Sequence, residues 1–295
     1  MIDTQRILAF HYLYPLPLQK FKQLLFPIDL LSCLEELPPS KMAQVLQIPI
    51  AKAVHLSQAF RSLLTTPFEE AYEQANIMPI PFNHPLYPAQ LFEIVNPPTV
   101  LYVRGQQSLL ASEQHIAIIG SRKATDYTKT AMNLIVPPLV QHGYTVVSGL
   151  AKGADTIAHQ TTVDIGGQTI AVLGHGFNHC YPAENRALAE YMAHHQLLVT
   201  EYPPYMKPEK WHFPMRNRII SGLSKAVVVT EAALKSGTMI TMECALEQGK
   251  DVFVVPGPID AEQSKGTNYL LTEGAIPVLN GHQIVETLAL FLNKI

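Results

Sequence analysis

Short β-branched runs alternate with longer amphipathic segments from about residue 99 onward, and this alternation restricts the possible folds more than any other feature. The runs are TVLYV, HIAIIG, YTVVSG, QTIAVLG, QLLVTE, KAVVVTE and DVFVVPG. Their near-continuous apolar character suits strands covered on both faces, which is the condition of a parallel sheet. The helix-like segments between them include 128–141, 154–165, 184–194 and 238–248. A βαβ series of this kind predicts a mostly parallel, doubly wound α/β sheet, with ligands gathered at the carboxyl ends of the strands.

Before this series, residues 1 to about 77 read as a small helical domain. Met42, Val45 and Leu46, then Val54, Leu56, Phe60 and Leu63, recur at helical spacing. From Met78 to Pro88 the chain is dense in proline and reads as a stiff connector. After Gly281 one short helix, around 283–292, is expected. The domain reading is therefore 1–77 helical and 78–295 Rossmann-like.

Composition removes several function classes. A hydrophobic fraction of 47% with 15% charged residues describes a folded globular chain rather than a disordered one. No apolar run reaches the roughly 18–20 residues of a membrane helix, and the N-terminus lacks a signal-peptide pattern, so a cytoplasmic protein without a membrane partner is expected. Cys33, Cys180 and Cys244 are far apart and form no C-x-x-C, which predicts reduced thiols and no zinc ribbon. His175, His179 and Cys180 lie in a glycine- and proline-rich loop with no carboxylate partner, so no metal site is expected.

The strand ends carry the residues of interest. Gly120-Ser121-Arg122 follows HIAII, Ser148 to Gly153 with Lys152 follows TVV, and Lys235-Ser236-Gly237 follows AVVVTEAAL. Glycine lets backbone approach a ligand, and helix-start N–H groups favour anions. None of these loops matches G-x-G-x-x-G or G-x-x-x-x-G-K-[ST], so neither dinucleotide binding nor P-loop hydrolysis is predicted, and no cofactor is expected. Ser148, Asp155 and His159 do not form the G-x-S-x-G arrangement of a nucleophile elbow. Asp155 and His159, at i and i+4, read as a helix cap or pair.

The stretch KWHFPMRNRIISG (210–222) concentrates cations and rings in a chain whose net charge is -3. Residues 205–240 hold six Lys/Arg against two Glu, a local +4 that leaves -7 for the remainder. Cations beside aromatic rings are what single-stranded nucleic acid requires, phosphates for the charges and unpaired bases for the rings. The alternative is that Trp211 and Phe213 are core and that an arginine pairs with Glu201 or Glu231.

In IAIIGSRKAT (116–125), VVSGLAKGADTIAH (146–159), YPAENRALAE (181–190), HFPMRNRIISGLS (212–224), TEAALKSGTMIT (230–241), VFVVPGPID (252–260) and KGTNYLLTEGA (265–275) the chain resembles the DNA-processing protein A (DprA/Smf) family. The resemblance implies an extended Rossmann-like domain preceded by a small helical, SAM-like domain. It further implies binding and protection of single-stranded DNA, help in loading RecA during natural transformation, a homodimer, and no enzymatic activity. Carried over by motif, the DNA-binding residues are Gly120, Ser121, Arg122, Lys210, Phe213, Arg216, Asn217, Lys235, Ser236 and Gly237, with Lys152 and Arg186 on the flank. Many family members carry a lysine after the Tyr-Pro of the middle motif, where this chain has Ala183-Glu184, and Arg186 replaces some of that charge. The winged-helix module of some members is not expected. For the dimer face the apolar Leu270, Leu271, Val278 and Leu279 are candidates, with core packing as the competing explanation. The competing enzyme reading is a LOG-like nucleotide phosphoribohydrolase using Glu243 on the helix after the glycine loop, although Leu-Lys-Ser-Gly-Thr replaces that group's Pro-Gly-Gly-x-Gly-Thr. A third reading is a protein-interaction scaffold.

Overall fold

The computed structural model describes residues 3–26 and 29–292. Its strands are β1 (Met78–Pro81), β2 (Val100–Gly105), β3 (His115–Ile119), β4 (Thr145–Ser148), β5 (Thr169–Leu173), β6 (Leu197–Thr200), β7 (Ala226–Val229), β8 (Asp251–Val254) and β9 (Ile276–Pro277). They form one sheet in the order β1-β2-β6-β5-β4-β3-β7-β8-β9. β3 through β9 pair in parallel, while β2 runs antiparallel to β6 and β1 antiparallel to β2. The sheet is thus mixed α/β and mostly parallel, as the apolar runs predict.

The helices are α1 (Thr4–Leu13), α2 (Leu18–Phe21), α3 (Pro39–Leu46), α4 (Ile50–Leu63), α5 (Phe68–Gln74), α6 (Asp126–Gln141), α7 (Ala154–Asp164), α8 (Arg186–His195), α9 (His212–Leu223), α10 (Gly237–Glu247), α11 (Lys265–Thr272) and α12 (Gly281–Leu292). Alternate residues along the strands feed opposite faces. Ala117, Ile119, Val227 and Val229 pack with Ile219, Ile220, Leu223, Met242 and Ala245 of α9 and α10. Ile116, Ile118, Ala226 and Val228 face the other way, onto Met132, Ile135 and Leu139 of α6 and Ile284 and Leu288 of α12.

The helical N-terminal segment and α8 cover the rest of that second face. Phe10, Phe21, Met42 and Phe60 fall in one apolar cluster with Val100 and Tyr102 of β2, Ala171 of β5 and Leu198 of β6. Polar bonds reinforce the contact: Thr99 Oγ1 donates to Leu16 O at 2.6 Å, and His11 Nδ1 lies 3.0 Å from the Tyr102 hydroxyl. The first five helices end at Gln74, just before β1, yet the packing runs on without a break.

Two sequence expectations need correcting. Residues 78–81 of the supposed connector form β1, an edge strand, where a proline's missing N–H costs least. His159 does not pair with Asp155. Its Nδ1 lies 2.7 Å from Thr169 Oγ1, because the ring points into the sheet.

Burial gives two histidines a shared signature. Desolvation lowers both His11 and His159 to about 3, and the nearby Arg216 charge adds to the effect at His159. In the unfolded chain each titrates near about 6.5. Between those values the unfolded state binds protons that the folded state excludes. The stability is therefore fully present above about 6.5 and is lost as pH falls towards 3, at up to about 1.4 kcal/mol per pH unit for each ring. Urea unfolding at stepped pH should show this decline, and His159→Gln, which keeps a partner for Thr169, should flatten it by about one proton. An unchanged slope would assign the acid sensitivity to other groups.

Candidate nucleic-acid interface

The strand order reverses at β3 and β7. Connections from β3 run outward through β4, β5 and β6, and the chain then returns through α9 to place β7 on the other side of β3. In a doubly wound sheet the crevice at this switch point is where ligands lie. Here it opens into a groove of about 680 Å³.

The loop after β3 is held rigidly. A Cβ on Gly120 would stand 2.6 Å from both Ala154 Cβ and Thr230 Oγ1, so only glycine fits between α7 and the β7 end. Ser121 N donates to Glu231 O at 2.7 Å, its Oγ donates to Gln263 Oε1 at 2.5 Å, and its carbonyl accepts from Ala154 N at 3.1 Å. Ser121 thereby ties three loops together while Arg122 projects into solvent. Glu231 is buried and fully used. Its carboxylate accepts from Thr125 N at 2.7 Å, Thr125 Oγ1 at 2.9 Å and Thr128 Oγ1 at 2.7 Å, anchoring the start of α6.

Helix α9 forms the opposite wall, and its first turn tolerates Pro214 because N–H groups there lack helical partners in any case. Phe213 faces the groove, its ring centre 5.4 Å from that of Tyr181 and 5.5 Å from the Arg122 guanidinium carbon, a cation–π contact. A small apolar recess of about 60 Å³ lies between Phe213, Tyr181 and the Gly149 loop. Trp211 is 59% exposed, packs edge-on to Tyr202, and does not line the groove.

Successive residues of α9 then diverge. Arg216 turns inward, where its Nη1 donates to Gly149 O at 2.6 Å and also to Val172 O, and its Nε donates to Asn217 Oδ1 at 3.1 Å. Burial lowers its pKa against the pull of Asp155. The same burial raises Asp155, opposed by Arg216 and by the Ala151 N–H. Arg216, expected among the DNA-binding residues, thus fastens the ends of β4 and β5 with its guanidinium turned inward. Asn217 Nδ2 reaches Gly237 O at 3.5 Å, linking α9 to the start of α10. Arg218 makes a bidentate pair with Glu201, at 2.9 and 2.6 Å, on the far side from the groove.

The third wall is the loop before α10. Ser236 sits at the N-cap with its Oγ buried and, among the described residues, without a hydrogen-bond partner, and Gly237 opens the helix. An 11-residue helix directs its free N–H groups and positive dipole end here. Among the described residues, Arg122, Lys210 and Lys235 have no carboxylate within ion-pair distance.

The groove therefore assembles Gly120, Ser121, Arg122, Lys210, Phe213, Arg216, Asn217, Lys235, Ser236 and Gly237. Lys152 and Arg186 are not part of it. Lys152 lines only the small recess and pairs with Glu184, both side chains more than half exposed. Arg186 lines a separate cavity beyond Tyr181. Sequence reasoning passed over Tyr181 and Gln263. Tyr181 stands in the quoted YPAENRALAE motif, whereas nothing local marks Gln263. Glu243 is exposed on α10 and does not line the groove, so the phosphoribohydrolase reading lacks its carboxylate there. Leu270 and Val278 are buried in the chain's own core and Leu271 packs against it, which leaves only Leu279, 65% exposed, to offer apolar surface from the proposed dimer face.

Comparison with known proteins places this geometry in context. Residues 79–289 match the model of a family described as DNA recombination-mediator protein A. The chain is 43% identical over 218 residues to DNA processing protein DprA of Bacillus subtilis, spanning 74% of this chain and 73% of that one. It is 42% identical over 217 residues to Protein Smf of Escherichia coli, a match that covers 73% of this chain and 58% of the relative. Among solved structures, DprA of Streptococcus pneumoniae superposes with a TM-score of 0.80 at 32% identity, over 97% of this chain and 98% of that one. A Helicobacter pylori DprA structure, described for its single-stranded DNA binding mode, superposes with a TM-score of 0.66 at 31% identity, over 72% of this chain and 95% of that one.

Proposed function

The chain belongs to the DNA recombination-mediator protein A family, and from that premise we propose that its switch-point groove binds single-stranded DNA. The observation that carries the reading is the grouping of three unpaired cations around one accessible ring, on loops that other residues hold in place. Arg122, Lys210 and Lys235 contact phosphates, the α10 N–H groups add donors, and Phe213 stacks on a base. Stacking needs a free base face, so duplex is disfavoured. The protein acts as a recombination mediator that protects incoming single strands, helps load RecA and works as a cytoplasmic homodimer. The family description and the DprA relatives support this extension.

A titration of labelled oligo-dT against duplex of equal length, repeated over a range of salt, tests the reading. Oligo-dT should bind more tightly, and log K should fall linearly with log salt. Phe213→Ala should cost about 1–3 kcal/mol of affinity and leave the salt slope unchanged. Equal affinity for duplex and single strand, or a Phe213→Ala variant that binds as the unmodified protein does, counts against it.

A further inference from the structure

Tyr181 is a wall common to the groove, the small recess and a third cavity. The third cavity, of about 340 Å³, opens beyond the tyrosine. Two cations line it. Arg186, at the start of α8, is exposed and among the described residues has no carboxylate within ion-pair distance. Arg104, near the end of β2, lays its guanidinium 4.8 Å from the centre of the Phe177 ring and donates one bond to Ala75 O at 3.2 Å. Its Nε is buried and, among the described residues, has no hydrogen-bond partner. Burial lowers the pKa of this guanidinium. A stacked, partly desolvated guanidinium held in one plane is preorganised for an oxyanion. Glu190 is the one carboxylate among the lining residues, so the cavity is net positive.

Tyr181 itself is 47% exposed, with Phe213 against one side only. The cavity is at the small end of the roughly 300–1,000 Å³ of ligand pockets, enough for one nucleotide and too little for a duplex.

We infer that this cavity is a second nucleotide subsite, in which the single strand leaving the groove passes over Tyr181 and sets its next phosphates against Arg186 and Arg104. The tyrosine then lies between the bases of the two subsites. The inference rests on the groove reading, and it gives Arg186 a role on the strand's path although Arg186 is absent from the groove.

Two oligo-dT lengths separate the inference from the reading beneath it. One, of about four nucleotides, fills the groove, and one of about twelve extends beyond it. Arg186→Ala, at an exposed position that does not threaten folding, should leave the short oligonucleotide's affinity unchanged. For the long one it should make the salt slope shallower by about 0.7, and adding Arg104→Gln should bring the change to about 1.4. Unchanged long-oligonucleotide binding in both variants would overturn the second subsite while leaving the groove intact. Equal weakening of both lengths would also overturn it, since Arg186 would then act on the groove itself. If the unmodified protein bound neither length, the groove reading would fail and this inference with it.

Discussion

Arg218→Ala is expected to destabilise the protein by about 3–5 kcal/mol, measured as a lower midpoint in urea unfolding. The side chains of Arg218 and Glu201 are 6% and 12% exposed and meet in a bidentate pair. Arg218 also donates to Asn96 O at 3.0 Å and to Met215 O at 2.6 Å, so its loss strands a carboxylate and the Asn96 carbonyl with little water to replace it. The cost is that of an uncompensated buried charge rather than the net value of the pair. For that reason Arg218→Met with Glu201→Leu, which removes both charges and keeps volume, should recover most of the loss. A cost below about 1 kcal/mol for Arg218→Ala would mean that water reaches the pair.

The largest effect on binding is expected from Arg122→Ala, Lys210→Ala and Lys235→Ala combined. All three side chains are exposed on the groove and unpaired, so their removal should leave the urea midpoint nearly unchanged. Each charge-assisted phosphate contact contributes about 1.5–3 kcal/mol, which puts the combined loss of oligo-dT affinity at about two thousandfold or more at low salt. The slope of log K against log salt should become shallower by about 2, from about 0.7 for each single-strand phosphate released. Affinity retained within about threefold in the triple variant, with the fold intact, would remove the groove from the account.

The strands were legible because a sheet covered on both faces demands continuous apolar runs, and few other structures do. The site's position was legible for a related reason, since parallel strands send all their βα loops to one end. Helix α9 was not. Pro214 and the flanking rings hide its start, and only the helical phase, about 100° per residue, shows that residues 216, 217 and 218 face three different surroundings. The local +4 charge therefore overstated the groove's own field: Arg216 and Arg218 are 4% and 5% exposed and engaged inside the protein. The alternative of an arginine paired with Glu201 holds for Arg218, while Glu231 is bonded to threonines instead. Glycine marked the loops for a reason the sequence does not carry. At Gly149 a Cβ would land 2.1 Å from Arg216 Nη1, so the residue makes room for a guanidinium rather than for a ligand. Two of the four dimer candidates, Leu270 and Val278, are buried in the chain's own core, and nothing in the sequence marks them as core rather than interface.

The apolar cluster joining Phe10, Phe21 and Phe60 to Tyr102 and Leu198 has a consequence for how the chain is divided. The family match begins at residue 79, inside β1, and leaves out all five N-terminal helices. Cut there, β2 and β6 would keep α8 on the face of this cluster but lose the N-terminal aromatic side chains that share it with Val100, Tyr102, Ala171 and Leu198. Residues 79–289 bound the family match, but the apolar cluster does not stop at that boundary: it is shared by the helices on one side of it and the sheet on the other.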